Sequence, residues 1–361
     1  MANGEWRMAN GGWPDGGWIA SLLMSATLRL TRQQILAHRR RAGGLDERMR
    51  GGPASLRRAA WVGLQDSVPR SAVLSLHARV AGVGPEGWDH PSLVQVWGPR
   101  FAVYVVPERD RALFTLMRLP DGGRRRERAE STADRLCDFL DGRRMSYSEA
   151  GKAMGVSPNS LRYAAPTGRV LIRWEGARRP EIWCVPPPDT TPERARRDMA
   201  ERYLHVLGPS TAGRFARWAG IPEAQGIVAF DALGNSIERV ATPIGEAWMP
   251  ATDEESLRSP AGPEAPARLL PSGDAHYLLW GGDRDLLVPD AARRDLLWTS
   301  RVWPGAVLVD GEIVGTWRRS GGLVTVEPWT RLTTPARRAV EEEAASLPLP
   351  DLDGPVEVRW G

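Results

Sequence analysis

The stretch "MSYSEAGKAMGVSPNSLRYAAPTGRVLIRWEGARRPEIWCVP", residues 145–186, carries the clearest signal for the fold. Residues 147–154 have helical character and end at a glycine, after which Ser157 caps a second helix that begins with a proline. Alternating apolar residues then predict a strand over 170–174 and, after a glycine turn, another over 181–185. Two helices followed by a hairpin predict a winged helix, in which the second helix enters the DNA major groove.

Related patterns lie on both sides of this stretch. "LTRQQILAHRRRAGG" reads as a helix with a glycine stop, and "RFAVYVVPER" alternates as a strand. A third copy begins with a helix from Thr191 to about residue 207, followed by short helices in "GPSTAGRFARWAGI" and "IPEAQGIVAFDAL". The last of these contains Glu223 and Asp231 and no arginine, which favours packing over DNA reading. We therefore predict an α+β fold with three tandem winged helices.

The C-terminal part changes character after the Pro/Ala-rich linker "SPAGPEAPARLLP". "AVLVDGEIVGTW" predicts a hairpin with a two-residue Asp310-Gly311 turn, and "GGLVTVEPW" adds a strand. A small β-barrel or sandwich is expected, followed by the helix "TPARRAVEEEAASL". The predicted units are a flexible tail (1–24), winged helix 1 (25–120), winged helix 2 (121–188), winged helix 3 (189–265) and the β-rich domain (268–361).

The composition is that of a globular protein, with 42% hydrophobic and 25% charged residues in a chain of 361. Formal net charge is +4, and Lys152 is the only lysine, so the positive charge is carried by arginine. Arginine suits phosphate recognition. An arginine-rich composition also follows from GC-rich coding, and composition alone favours that interpretation over nucleic-acid binding.

Several classes of protein are disfavoured. Cys137 and Cys184 lack metal-type neighbours, and no CxxC or HExxH occurs, so no metal or cofactor is expected. Reduced thiols in a cytoplasmic protein are favoured over a disulfide. No apolar run reaches about 18 residues, so no membrane span is expected.

A polar triplet interrupts the apolar stretch "WVGLQDSVPRSAVLSLHARV", residues 61–80. Gln65, Asp66 and Ser67 have two interpretations. Ser67 can be the N-cap of a helix with Pro69 in its first turn. Alternatively, the three residues form a catalytic group at a fixed point in a groove.

The ordered segments resemble the AlkZ-like winged-helix DNA glycosylases over about residues 25–335. "GLQDS" followed by "LSLHAR" looks like the Gln-x-Gln or Gln-x-Asp catalytic segment of that family. "VWGPRFAVYVVP" is similar to its W-x-x-R-G-T-x-H strand, and "RYLHVLGPSTAGRFARWAGI" resembles its YL-x-x-x-GP signature. "LLPSGDAHYLLWGGDR" and "VLVDGEIVGTW" look like its C-terminal motifs.

This resemblance implies three winged helices around a basic channel, and removal of bulky or crosslinked N-alkylated purines from double-stranded DNA. Gln65 and Ser67 fall on the catalytic positions, although the family has Gln or Asp where Ser67 stands. Tyr104 stands where the family often has His. The alternative is a non-catalytic DNA-binding protein of the same family. A nucleoid-associated monomer is expected, because tandem domains grip DNA without a dimer.

The chemistry needs little from the side chains. Hydrolysis of an N-glycosidic bond passes through an oxocarbenium-like sugar, and a purine alkylated at N7 is already a cationic leaving group. The Gln65 amide can hold the attacking water, and Asp66 can act as general base if it faces the groove. We expect DNA contacts from Arg70, Arg100, Tyr104, Asn159, Arg162 and Arg284. For Arg100 a surface salt bridge, and for Arg284 an ion pair with Asp283, are equally compatible alternatives.

Overall fold

The structure is a computed structural model of a mixed α+β protein. Ser67 and Pro69, which the sequence places at a helix start, lie outside the described part of the chain. The structure describes residues 27–66, 70–176, 180–260, 265–349, 352 and 354–361.

Fourteen strands are formed within the described residues. They are β1 (Leu28–Arg29), β2 (Leu64–Gln65), β3 (Leu93–Trp97), β4 (Val103–Pro107), β5 (Met145–Ser146), β6 (Val170–Arg173), β7 (Glu181–Cys184), β8 (Ile237–Thr242), β9 (Gly245–Pro250), β10 (Arg268–Leu270), β11 (Gly305–Val309), β12 (Glu312–Ser320), β13 (Leu323–Pro328) and β14 (Glu357–Trp360).

The same residues form fourteen α-helices, with a few short 3₁₀ turns between them. The helices are α1 (Arg32–Ala42), α2 (Pro53–Ala59), α3 (Ser71–His77), α4 (Arg111–Leu116), α5 (Gly123–Leu140), α6 (Tyr147–Ala153), α7 (Pro158–Leu161), α8 (Pro192–Leu207), α9 (Ala212–Ala219), α10 (Glu223–Asp231), α11 (Glu254–Arg258), α12 (Gly282–Leu287), α13 (Ala291–Leu297) and α14 (Thr334–Ala345).

A six-stranded antiparallel sheet carries Gln65 on its edge. Its strand order is β2-β4-β3-β6-β7-β5. The hairpin β3–β4 meets the hairpin β6–β7 through Gln95 opposite Ile172. The edge strand β2 has only two residues, with Gln65 opposite Tyr104 of β4. The triplet is therefore anchored to a sheet at its first residue, before helix α3 begins.

A small three-stranded sheet ties the start of the described chain to its middle. The order is β1-β8-β9, with β1 parallel to β8 and β8–β9 a hairpin. Helix α1 follows β1 directly and packs against α8 and α11. Thr31 starts α1 with a capping box, in which its hydroxyl accepts the N–H of Gln34 and the Gln34 side chain accepts the N–H of Thr31.

The expectation of a β-barrel in the C-terminal part is wrong. The five strands form an open sheet in the order β10-β11-β12-β13-β14, with β13 and β14 parallel. Helix α14 packs across β10, β11 and β14. A sheet whose apolar face is covered by a helix has no need to close on itself. The predicted hairpin at Asp310-Gly311 is confirmed, since Val309 pairs with Glu312 on either side of it.

The expectation of reduced cysteines is also wrong. Cys137 of α5 and Cys184 of β7 form a disulfide, with 5.5 Å between their Cα atoms. The two residues are 47 positions apart, and only the packing of α5 on β7 brings them together. Spacing in the sequence carries no trace of that contact.

Helix α8 shows how the largest core is built. The Thr191 side chain accepts the N–H of Arg194, and a proline occupies the first turn of the helix. Tyr203 of α8 is buried, and its ring centroid lies 5.4 Å from that of Phe215 and 5.3 Å from that of Trp218, both on α9. Aromatic packing of this kind fixes the end of α9, where the Trp218 carbonyl faces the β3–β4 turn.

Candidate functional site

Gln65 is held at the edge of the six-stranded sheet by two neighbours from β4 and its turn. Its Oε1 accepts hydrogen bonds from Arg100 Nη2 at 3.3 Å and from the Tyr104 hydroxyl at 3.4 Å. Arg100 Nη2 also donates to the Tyr104 hydroxyl oxygen at 2.8 Å. Burial raises the pKa of Tyr104, so its hydroxyl stays protonated and able to donate. The structure therefore brings Gln65, Arg100 and Tyr104 into one hydrogen-bonded group.

A glycine lies close to the Gln65 amide. Gly273 has φ +76°, and a side chain there would bring its Cβ within 3.3 Å of Gln65 Nε2. Any larger residue would therefore be strained and would crowd the amide.

Arg100 and Phe101 both have left-handed backbones, with φ of 57° and 58°. Such conformations are uncommon for residues other than glycine and persist only where the surroundings enforce them. The enforcement comes from α9, because Arg100 Nη1 donates to the carbonyl oxygen of Trp218. Gly220 allows this approach, since a Cβ there would lie 3.0 Å from the Arg100 backbone nitrogen. Strain of this kind is typical of functional sites.

Asp66 points the opposite way from Gln65 and is fully buried. Its Oδ1 accepts the N–H of Ala72 in the first turn of α3 at 3.0 Å, and its Oδ2 accepts from Gln95 Nε2 at 2.9 Å. Gln95 cannot turn around, because its Oε1 accepts the backbone N–H of Trp174 at 2.6 Å. Burial raises the pKa of Asp66 to about 6, although these hydrogen bonds and a nearby arginine oppose the shift.

Arg70 is part of this buried group. It lies at the start of α3 with φ 68°, and its Nη1 is 3.7 Å from Asp66 Oδ2. Its guanidinium carbon lies 4.0 Å from the centroid of the Trp88 ring, and its Nη1 donates to the Trp174 carbonyl at 3.2 Å. Helix α3 begins at Ser71, and its first turn receives the Asp66 carboxylate.

The other predicted DNA contacts lie in two further places. Arg162 follows α7, with its guanidinium carbon 5.6 Å from the Phe101 ring centroid. Asn159 lies in α7 and accepts a hydrogen bond from the Tyr147 hydroxyl at 2.9 Å. Arg284 lies in α12, where Asp283 forms its ion pair with Arg39 instead.

Tryptophan links Arg284 to the glutamine. The Trp280 ring centroid lies 4.5 Å from the guanidinium carbon of Arg100 and 6.0 Å from that of Arg284. Arg284 also faces Trp298 and Trp303, and its Nε donates to a backbone carbonyl at 2.7 Å. The guanidinium groups of Arg100 and Arg284 therefore both lie near the Trp280 ring.

Sequence reasoning missed Arg118, which the structure brings to the same place. It follows α4, its guanidinium carbon lies 3.8 Å from the Phe101 ring centroid, and its Nη1 donates to the Gly98 carbonyl at 2.7 Å. The available signal was a lone charge after the apolar run "ALFTLM". Because arginine is mostly exposed in proteins, this signal alone does not identify a functional residue.

Metal and membrane features are absent from the part of the chain that the structure describes. No group of three or more His, Cys, Asp or Glu residues there could hold a metal ion. Among the described helices, none is both long and apolar enough to pass through a lipid bilayer.

Comparison with known protein families identifies the family of this chain. The family model described as DNA glycosylase AlkZ-like matches residues 58–348, well over half of the chain. The chain therefore belongs to the AlkZ-like DNA glycosylase family.

Two comparisons with proteins from Streptomyces sahachiroi show how similar this chain is in sequence and in fold. An interstrand DNA cross-link repair glycosylase is 28% identical over 160 residues, and the match covers 43% of this chain and 43% of that relative. The solved structure of the S. sahachiroi DNA glycosylase AlkZ matches with a TM-score of 0.77 at 19% identity, over 92% of this chain and 100% of that one. The second comparison shows a shared fold over nearly the whole chain.

Proposed function

We propose that this protein is a DNA glycosylase that hydrolyses the N-glycosidic bond of bulky or crosslinked N-alkylated purines in duplex DNA. Three winged helices around a basic channel would hold the duplex, with no metal or cofactor in the reaction. The observation that carries the proposal is the Gln65 amide, which accepts hydrogen bonds from Arg100 and Tyr104 and lies against Gly273, a residue without a side chain. Family membership and the glycosylase relative support the same reaction class.

The reaction needs a positioned water more than a strong base. The water oxygen forms a bond to C1′ while the bond from C1′ to the purine nitrogen breaks. The electron pair of that bond neutralises the cationic base, and the water proton passes to solvent. Gln65 would orient the water through a fixed amide dipole, which costs no reorganisation at the moment of reaction.

Asp66 fits this scheme better as a structural residue than as a general base. Both of its carboxylate oxygens are engaged, one by the first turn of α3 and one by Gln95. A carboxylate with this burial and these partners has no free face for a water. We propose that Asp66 fixes the chain just before Ser67 to the first turn of α3, through the N–H of Ala72.

Base release separates this proposal from its alternative, a DNA-binding protein of the family without catalysis. Incubation with an N7-methylguanine duplex, then heating in alkali to cut abasic sites, should produce strand breaks at the lesion. Tight DNA binding with no release from several alkylated substrates would establish the alternative, which Ser67 favours. The variant Ser67→Gln should raise activity if the serine is a weakened catalytic position.

DNA binding itself should be largely independent of sequence. Affinity for duplex DNA should fall steeply as salt rises, because arginine contacts to phosphate release counterions. Sedimentation should show one protein chain per bound duplex of short length. A protein that fails to bind duplex DNA at low salt would contradict both the glycosylase and the binding-protein interpretation.

A further inference from the structure

Three guanidinium groups surround the Phe101 ring and the Tyr104 hydroxyl, and we call Arg100, Arg118 and Arg162 the arginine cluster. Arg118 and Arg162 lie 3.8 Å and 5.6 Å from the Phe101 ring centroid, measured to the guanidinium carbons. Arg100 donates to the Tyr104 hydroxyl oxygen at 2.8 Å. The groups come from the β3–β4 turn, the end of α4 and the end of α7, so they are remote in sequence.

The cluster is not neutralised within the protein. Across the described ranges, none of its three arginines forms an ion pair with a carboxylate; Arg100 and Arg118 donate to backbone carbonyls or a hydroxyl instead. The Nε atoms of Arg118 and Arg162 are buried without a hydrogen-bond partner there. Burial, together with the charges of Arg100 and Arg162, lowers the pKa of Arg118 to about 10. Partly buried positive charges without a carboxylate partner are unfavourable, and a bound anion would offset this cost.

The aromatic rings prepare these guanidinium groups for contact with a phosphate. Phe101 and Tyr163 pack edge to face with 5.3 Å between ring centroids. Arg162 lies 5.7 Å from the Tyr163 ring, and the exposed Arg128 of α5 lies 4.1 Å from it. Stacked guanidinium groups lose little freedom on binding and keep their donors in plane, which suits the bidentate geometry of phosphate.

We propose that Arg118 and Arg162 together bind one phosphate of the DNA backbone beside the nucleotide presented to Gln65. The inference rests on the proposed function for its partner, duplex DNA. The position follows from Arg100, which contacts both Gln65 and the Tyr104 hydroxyl, and whose charge acts on Arg118. Phe101 has a left-handed backbone, and the guanidinium groups of both phosphate-binding side chains lie near its ring.

The test removes the charge from either side of the contact. A duplex with one uncharged abasic-site analogue fixes the position of the protein, and single methylphosphonates replace phosphates one by one around it. For the wild type, one or two adjacent replacements should weaken binding about tenfold. For Arg162→Ala or Arg118→Ala the same replacements should cost little further, as expected when the partner is already missing.

A matched control removes the same charge elsewhere. Arg338 lies in α14 in an exposed pair with Glu342, so Arg338→Ala should keep the wild-type methylphosphonate profile. The slope of log affinity against log salt should fall by about one for Arg162→Ala and stay unchanged for Arg338→Ala. Because Arg118 also supports the β3–β4 turn through Gly98, Arg118→Lys and thermal melting separate loss of charge from loss of fold.

The outcomes are distinct from those of the glycosylase proposal. Unchanged salt slopes in both arginine variants, or equal methylphosphonate penalties in wild type and Arg162→Ala at every position, would overturn the phosphate site even if base release occurs. The phosphate site would also be overturned if inorganic phosphate alone stabilised the wild type in thermal melting while no methylphosphonate replacement in the DNA weakened binding. The cluster would then be a small-anion site. A protein with the expected slopes but no base release would retain the phosphate site and lose the glycosylase.

Discussion

Two sets of arginines in this protein have opposite surroundings. Arg79 and Arg39 lie in the interior, where each donates at 2.7 Å to a buried carboxylate, of Asp274 and Asp283 respectively. The arginine cluster around Phe101 has backbone carbonyls, a hydroxyl and aromatic rings for partners in the described part of the chain. In a chain with a single lysine, the number of arginines identifies no function. The chemical nature of the partner distinguishes arginines that stabilise the fold from those that we propose bind a phosphate.

The largest expected difference between the two sets of arginines is in stability, when one arginine of an interior ion pair is removed. In Arg79→Leu, the Asp274 carboxylate stays buried with its charge uncompensated, since Arg79 donates to both of its oxygens. We expect a loss of about 3–5 kcal/mol in the free energy of unfolding, measured with urea. Arg162→Ala should lose less than about 1 kcal/mol, because it breaks no ion pair. A double change of Arg79 and Asp274 to leucine should recover part of the loss; equal effects at the two sites would remove the distinction.

Asp66 tests whether the buried carboxylate beside Gln65 is structural. Its pKa is raised from 3.8 to about 6, so the folded state binds the proton more tightly than the unfolded chain. That contribution to stability is complete below about pH 4 and is lost as pH rises through about 6. Relative to wild type, Asp66→Asn should therefore gain up to about 3 kcal/mol between about pH 4 and pH 7. Urea titrations across this range measure it.

Activity of the same variant decides the chemical role. If Asp66 is a structural residue, the base-release rate of Asp66→Asn should change only in proportion to the fraction of the variant that is folded. A loss of activity far beyond the unfolded fraction would assign the general base to Asp66. The donor–donor contact that Asn creates with Gln95 Nε2 lowers stability at all pH values and leaves the pH-dependent difference unchanged.

Gln65→Ala separates chemistry from binding. The side chain lies at the sheet edge and accepts only long hydrogen bonds, so the free energy of unfolding and the DNA affinity should stay near wild type. Base release from an N7-alkylated duplex should fall at least about tenfold, or roughly 1.4 kcal/mol of barrier. Single-turnover assays at saturating protein give this rate. An unaltered rate would place the water-holding group elsewhere.

The smallest effect is expected one turn away from the cluster. Asn159 is neutral and accepts a hydrogen bond from Tyr147, so Asn159→Ala removes no charge from the surface. DNA affinity should fall less than about threefold, and the slope against salt should match the wild type. Comparison with Arg162→Ala on the next turn then isolates the charge term. A changed slope in the neutral variant would mean that the helix itself moves.

Local patterns predicted most of the secondary structure. Helices α6, α7 and α8 and strands β6 and β7 begin where the caps and alternation place them, because those signals act within a few residues. The predicted cap at Ser67 lies outside the described residues; α3 begins at Ser71, and the Asp66 carboxylate accepts the N–H of Ala72 six positions later. The winged-helix assignment and the predicted domain limits stay predictions.

The sequence by itself determined the family and the order of elements, because these follow from local signals and ordered motifs. Only the tertiary structure decided the disulfide, the open C-terminal sheet and the burial of Asp66. It also decided which arginines meet without a carboxylate in the described residues. Those features depend on contacts between segments far apart in the chain, where packing and charge are set jointly and no residue pattern records the partner.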